Sequence, residues 1–216
     1  MRNTLENQGW WKGKCSEHDL DEILIKISNH LGQPIGARRK TSVIEILKPQ
    51  SADSAYKNSL SAQYELTAFP FHIDTAHWTI PCRYIVLGCK SPGTCGRKTL
   101  LIDWGSLQIK APEVDLLKKA IFLVKDGGRS FYSSILSENE PFIRYDTGCM
   151  HTSDRESEMA LQLLESILEK ADKKEVAWEE NDVLVMDNWR ILHGRSDSND
   201  ALRINSSREL HRVLVK

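Results

Sequence analysis

Residues 183–193 contain two short apolar runs, Val183-Leu184-Val185-Met186 and Trp189-Arg190-Ile191-Leu192-His193. Short runs of this kind, rich in aliphatic and aromatic side chains and bounded by polar residues, are typical of buried β-strands. The last apolar run of the chain, 208–215, has the same character. The C-terminal part of the chain is therefore predicted to consist mainly of strands.

The rest of the chain contains both strand and helix patterns. Strands are predicted at 42–47, 83–88 and 99–104, helices at 16–32, 113–123 and 155–170, and a surface loop at 50–62. Ser16 is the expected cap of the first helix, and Gly32 its end. The chain lacks the regular alternation of strand and helix that is typical of a doubly wound sheet. We therefore expect a mainly β protein with flanking helices around a double-stranded β-helix (jelly-roll) core, and the length favours one domain over residues 1–216.

The composition excludes several classes of partner. The chain has 29 Lys and Arg residues against 30 Asp and Glu residues, and its formal charge is -1. This balance argues against nucleic acids and anionic membranes as general partners. No apolar run is long enough to span a membrane, and the N-terminus lacks the apolar stretch of a secretory signal. The five cysteines show no CxxC spacing, so we expect reduced thiols and a cytoplasmic protein.

Two histidines stand in a sequence context that suggests a metal site. In Phe71-His72-Ile73-Asp74, extended backbone would project His72 and Asp74 to the same face. One imidazole and one carboxylate are two thirds of the 2-His-1-carboxylate set that binds non-heme Fe(II). His193 is the best candidate for the third ligand, because Gly194 after it allows close backbone approach. A His and an Asp at an ordinary turn, and a structural histidine at 193, are the alternatives.

The last predicted strand carries two arginines on one face. Arg208 and Arg212, with Leu210 between them, fall on one face of this strand, and a guanidinium is suited to clamping a carboxylate through its planar fork of donors. Two inward arginines would be costly unless anions met them. The alternatives are a salt-bridged edge strand and anion binding by Arg203, which lies in the loop before this strand.

These segments resemble, in order and in local sequence, the taurine/2,4-dichlorophenoxyacetate dioxygenase (TauD/TfdA) family of Fe(II)/2-oxoglutarate-dependent oxygenases. The resemblance rests on 71–74, 187–195 and 208–212, although the chain is shorter than the usual member. It implies Fe(II), 2-oxoglutarate as cosubstrate and O2. It also implies that His72, Asp74 and His193 bind the iron and that Arg208 and Thr99 bind the distal carboxylate of 2-oxoglutarate.

Two further residues are expected near the substrate. The resemblance places Arg212 where some family members face an anionic group of the substrate. His77 follows Asp74 by three positions and is a candidate substrate contact, with a rim or packing role as the alternative.

The reaction that the resemblance implies is the oxidation of a small molecule, with release of succinate and CO2. Related halogenases have a small residue where Asp74 stands, so hydroxylation is expected rather than halogenation. An amino acid or a natural-product intermediate is the expected substrate. The alternatives are desaturation or cyclisation on the same fold, a catalytically silent module that senses 2-oxoglutarate, and a zinc hydrolase that uses the same three ligands.

Overall fold

The structure is a computed structural model, which describes residues 1–15, 19–37, 42–49, 64, 67–197 and 207–216. Within these residues the α-helices are α1 (Arg2–Gln8), α2 (Leu20–Leu31), α3 (Ala111–Lys119) and α4 (Arg155–Lys170). A 3-10 helix spans Trp104–Ser106. The strands are β1 (Trp10–Lys14), β2 (Pro34–Ile35), β3 (Ile44–Leu47), β4 (Phe69–His72), β5 (Tyr84–Ser91), β6 (Thr99–Asp103), β7 (Phe122–Asp126), β8 (Arg129–Ser133), β9 (Met150–Thr152), β10 (Lys174–Val176), β11 (Asp182–Asp187), β12 (Ile191–Arg195) and β13 (Glu209–Val215).

The described strands form three antiparallel sheets. The main sheet has the order β1-β11-β5-β13-β2, with β3 also paired to β13. The second sheet has the order β10-β6-β12-β4. A third, smaller sheet has the order β8-β7-β9. Leu87 and Met186 of the main sheet pack against Leu101 and Ile191 of the second. The predicted jelly-roll core with flanking helices is confirmed.

Helix α2 covers the outer face of the main sheet. Leu20 and Leu24 pack against Val86 and Val213 in a buried apolar layer. A Cβ at Gly88 would lie 2.9 Å from methyl groups of both leucines, so a side chain there would push the helix away from the sheet.

The start of α2 differs from the prediction. Its N-cap is Asp19, whose side chain accepts a hydrogen bond from the backbone N–H of Asp21. Aspartate caps a helix as well as serine does. Its carboxylate accepts a hydrogen bond from a free N–H group, and its negative charge is stabilised by the positive end of the helix dipole. Ser16 lies outside the described residues. The predicted end at Gly32 is confirmed.

The third sheet and helices α3 and α4 cover the outer face of the second sheet. Ile102 and Leu192 of that sheet pack in one cluster with Phe122 and Leu164. The predicted helix at 113–123 is wrong at its end: α3 stops at Lys119, and 122–126 is a strand. Burial alternates along this strand, which is the period of a half-buried sheet.

Smaller corrections concern the turn before β12 and the surface loop. Trp189 and Arg190 belong to a turn, so the strand predicted at 189–193 begins at Ile191. The loop predicted at 50–62 falls outside the described residues.

No helix in the described part of the chain has the length and apolarity needed to cross a bilayer.

His211 ties β13 to α2 on the outer face of the main sheet. Its Nδ1 contacts the carboxylate of Asp21, and its Nε2 lies 2.8 Å from Oε1 of Glu209. Lys48 pairs with the other oxygen of Glu209 at 2.7 Å. Burial alone would lower the pKa of His211, but the hydrogen bonds to Glu209 and Asp21 raise it above its ordinary value. Both ring nitrogens therefore act as donors in the protonated form.

A pH-dependent contribution to stability follows from this cluster. The folded state raises the pKa of His211. Its contribution to the free energy of unfolding is therefore complete below the ordinary histidine pKa of about 6.5, and it is lost as the pH rises through the pKa of the folded state. We expect His211→Gln to lower the free energy of unfolding by about 1 kcal/mol at low pH, because the cluster is partly exposed. Urea unfolding of both proteins at acidic and alkaline pH measures this difference. An equal difference at both pH values would contradict the assignment.

Candidate metal centre

The two predicted histidine ligands face each other across two paired strands. His72 ends β4 and His193 lies in the middle of β12, where the two residues are direct partners in the strand register. Their ring centroids are 4.4 Å apart. A Cβ at Gly194 would lie 2.9 Å from the Phe69 carbonyl oxygen, so the close backbone approach expected at this glycine is present.

Asp74 reaches the same point through a turn. The strand ends at His72, and a turn begins at Asp74. Thr75 has a φ of 58°, which is unusual for a residue with a branched side chain. The turn nevertheless brings Oδ1 of Asp74 to 3.9 Å from Nε2 of His72 and 3.9 Å from Nε2 of His193.

Asn188 fixes the backbone of Asp74 on both sides. Its side-chain oxygen accepts from the Asp74 N–H at 2.8 Å, and its amide donates to the Asp74 carbonyl at 3.0 Å. The same amide donates to the Cys82 carbonyl at 2.9 Å. Asn188 is completely buried, so these hydrogen bonds do not compete with water and hold the turn in place.

The protonation states suit a metal ion. Nδ1 of His72 lies 2.9 Å from the Pro70 carbonyl, which can only accept, so Nδ1 carries the proton and Nε2 has a free lone pair. Burial lowers the pKa of His193 to about 3, which keeps it neutral. Burial alone would raise the pKa of Asp74, but the charge and the hydrogen bond of Arg212 hold it below its ordinary value.

The three side chains can therefore share one ion. Their ligand atoms all lie within 4.8 Å of one another, and within the described ranges no other group of His, Cys, Asp and Glu meets this criterion. Metal–ligand bonds are about 2.1 Å long, so donors 3.9 Å apart need only small movements to reach one ion. Two imidazoles and one carboxylate form the donor set of a non-heme Fe(II) site with open positions.

A cluster of arginines lies near the end of the second sheet. Arg208 is 8% exposed and donates from Nη1 to the Arg97 carbonyl at 2.9 Å. Burial lowers the pKa of Arg208, and the charge of Arg97 adds to this effect. Burial and the charges of Arg97 and Arg208 lower the pKa of Arg195 to about 9. Because the charges of Arg97 and Arg208 repel that of Arg195, the cluster favours an anion.

Thr99 lies at the same end of the second sheet. It is paired with Arg195, two residues along β12 from His193. Its hydroxyl oxygen accepts a hydrogen bond from Nε1 of Trp178 at 3.0 Å, which leaves the hydroxyl proton available for an acceptor. Arg203, the alternative anion binder, lies outside the described residues. The edge-strand alternative is wrong, because β13 lies between β5 on one side and β2 and β3 on the other.

Arg212 lies beside the metal centre. Nη1 donates to Oδ2 of Asp74 at 2.7 Å, and Nε donates to Oε2 of Glu45 at 3.2 Å. Burial alone would lower the pKa of Arg212, but the charges of Asp74 and Glu45 raise it above its ordinary value. Glu45 was not among the predicted site residues, although a single acid in the apolar run 43–47 is a usable signal. His77 lies in the turn after Asp74, half-buried, with its ring against Trp78.

Arg144 was also missed, and it supports the turn that follows Asp74. Its guanidinium donates to the carbonyls of Ala76, Trp78 and Thr79 at 2.5, 2.7 and 2.9 Å. Only 1% of the residue is exposed. The neighbouring Tyr145 carbonyl accepts from the N–H of Ile73, between the two ligands of the turn. An arginine within the apolar run 142–145 is the signal that could have revealed it.

Comparisons with known proteins agree with this geometry. A family profile described as taurine catabolism dioxygenase TauD, TfdA family matches residues 112–214, which include His193 and Arg208. No curated protein matches the chain. An asparagine oxygenase structure, described in complex with Fe(II), hydroxyasparagine and succinate, is 15% identical with a TM-score of 0.79. The alignment covers 99% of this chain and 77% of that one.

Two further structures have the same fold. The non-heme iron oxygenase OrfP, described in complex with Fe and alpha-ketoglutaric acid, is 18% identical with a TM-score of 0.75, over 100% of this chain and 77% of that one. PvcB from Pseudomonas aeruginosa is 16% identical with a TM-score of 0.71, over 99% and 78%. At these identities the likeness is one of fold. The profile match over residues 112–214 and the three-ligand centre make this chain similar to the TauD/TfdA family.

Proposed function

We propose that the chain is an Fe(II)- and 2-oxoglutarate-dependent oxygenase that hydroxylates an amino acid or a closely related natural-product intermediate. The observation that carries this proposal is the convergence of His72, Asp74 and His193 on one point. Bound iron would supply the redox chemistry that couples oxidation of the substrate by O2 to the conversion of 2-oxoglutarate into succinate and CO2. All assigned residues lie within 1–216, which we propose form one oxygenase domain.

Arg208 and Thr99 are proposed to hold the distal carboxylate of 2-oxoglutarate. The guanidinium of Arg208 supplies a buried positive charge, and the hydroxyl of Thr99 has a proton to donate because its oxygen accepts from Trp178. A charged and directional anchor of this kind fixes the angle at which the other end of the cosubstrate meets the metal.

Arg212 is proposed to bind an anionic group of the substrate, and Glu45 provides a negative charge directly beside it. A cation and an anion side by side match the carboxylate and the ammonium of an amino acid. The asparagine oxygenase, described in complex with hydroxyasparagine, and OrfP, described in complex with hydroxyarginine, support this class of substrate. His77 is proposed to contact the substrate from the turn after Asp74.

The protein is proposed to work in the cytoplasm with a small-molecule substrate. The five cysteines form no disulfide within the described residues, as expected in a reducing compartment.

A coupled-turnover experiment tests the proposed function. The protein is incubated with Fe(II), 2-oxoglutarate, O2 and a panel of amino acids that includes asparagine and arginine. At least one amino acid should increase succinate release and gain one oxygen atom, as measured by mass spectrometry. The matched control omits O2 or replaces Fe(II) with Zn(II), and it should give no product.

Two outcomes of this experiment would contradict the proposal. Product formed with Zn(II) in the absence of O2 and 2-oxoglutarate would identify a hydrolase. Tight binding of 2-oxoglutarate without succinate release on any member of the panel would favour the silent sensing module.

A further inference from the structure

Two edges of the Arg212 guanidinium contact two different carboxylates. Nη1 contacts Oδ2 of Asp74, while Nε and Nη2 contact the same oxygen of Glu45. The side chains of Arg212 and Glu45 are 20% and 25% exposed, so both ion pairs lie in a largely dry region. Arg212 and Glu45 are direct partners in the register of β13 and β3, which sets the position of the guanidinium from the main sheet.

This arrangement gives the two oxygens of Asp74 different surroundings. Oδ2 lies 2.7 Å from Nη1 of Arg212. Oδ1 faces the two imidazoles, at 3.9 Å from Nε2 of each. A carboxylate can bind a metal through one oxygen or through both, and an oxygen that already accepts a charged hydrogen bond is a poorer ligand.

We propose that Arg212 is a positioning residue that makes Asp74 a one-oxygen ligand, and that Glu45 holds Arg212 in the orientation this requires. The inference rests on the proposed function, because it concerns the metal bound by the same three side chains. With Asp74 bound through one oxygen, the protein contributes three donor atoms. A non-heme Fe(II) held by these three donors would keep open positions for cosubstrate and O2. A second oxygen of Asp74 would close one of them.

The orienting role is compatible with a role in substrate binding. A substrate anion that replaced Glu45 at Nε and Nη2 would leave the contact between Nη1 and Asp74 intact. Opposite edges of one rigid guanidinium would then hold the substrate and the metal ligand. The planar fork of arginine can do this, whereas the single ammonium of lysine cannot span both groups.

Titration with Co(II) in the absence of 2-oxoglutarate tests the inference. Arg212→Lys keeps the positive charge and removes the fork, so a change reports on geometry. We expect Co(II) affinity to fall by about tenfold, the lower end of the range for losing an outer partner of a metal ligand. The visible spectrum of bound Co(II) should also change, because Asp74 becomes free to bind through both oxygens.

Arg208→Lys is the matched control, since Arg208 lies just before β13 and donates to the Arg97 carbonyl rather than to Asp74. It should leave the Co(II) affinity and spectrum unchanged. Glu45→Gln should change the Co(II) affinity and the spectrum in the same direction as Arg212→Lys does, but by a smaller amount. If thermal melting shows that Arg212→Lys does not fold, Glu45→Gln decides the outcome.

Affinity and spectrum like those of the wild type in Arg212→Lys and Glu45→Gln would overturn the inference. His72→Ala separates this failure from a failure of the proposed function. If His72→Ala loses Co(II) while the other variants keep it, the metal site stands and only the role of Arg212 is rejected. If His72→Ala also binds as the wild type does, the metal site itself is wrong.

Discussion

Replacing His72 or Asp74 by alanine should abolish the weak visible charge-transfer band that appears when Fe(II) and 2-oxoglutarate are added without oxygen. Each substitution removes one of the three protein donors, and the remaining two cannot hold the ion in a defined orientation. Anaerobic absorption spectroscopy, with metal content measured after gel filtration, checks the expectation.

His151→Ala is the control for this experiment. His151 is exposed on β9 of the third sheet and should keep the full band. The result would contradict the ligand assignment if both His72→Ala and Asp74→Ala kept an unchanged band. Thermal melting of each variant shows whether a lost band reflects the site or the fold. Both residues lie at the end of β4 or in the turn after it, where an alanine leaves the backbone hydrogen bonds in place.

Replacing Arg208 by alanine should raise the concentration of 2-oxoglutarate needed for half-maximal succinate release by roughly ten- to a hundredfold. The loss of a charge-assisted hydrogen-bonded pair costs about 1.5–3 kcal/mol, which corresponds to that range. The effect depends on the burial of Arg208, because a buried charge pair is screened little by solvent.

Metal binding provides the control for Arg208. The variant should bind Fe(II) in the absence of cosubstrate as the wild type does, because His72, Asp74 and His193 are unchanged. Arg208→Lys should fall between the wild type and the alanine variant, since it keeps the charge and loses the fork. An unchanged requirement for 2-oxoglutarate would move the cosubstrate role to Arg212 or to Arg203.

The sequence predicted those parts of the site that are encoded in short segments. His72 and Asp74 stand two residues apart, and His193 is followed by the glycine that permits close strand approach. The helix at 155–170 was predicted with its observed ends, because its apolar period is a local feature. The hydrogen bonds that hold the turn at Asp74 could not be predicted from a short segment, since Asn188 lies 114 residues from Asp74.

The missed residues share a physical cause. Glu45 and Arg212 are in contact although 167 residues separate them in the chain. Arg144 donates to carbonyls of the metal-ligand turn that lie more than sixty residues away in the chain. Such contacts follow from strand pairing and layer packing, which a period along the chain does not reveal. The third sheet was missed for the same reason: β7 pairs with β8 and β9, and its first residues continue the apolar pattern of helix α3.

The sequence by itself determined which side chains could bind a metal and an anion, and it determined a mainly β protein, because residue chemistry and apolar period are properties of short segments. Only the tertiary structure decided which oxygen of Asp74 faces the histidines and that Arg212 lies against that ligand. The physical reason is that antiparallel pairing of distant strands sets the distances between charges, and those distances decide which carboxylate each guanidinium contacts.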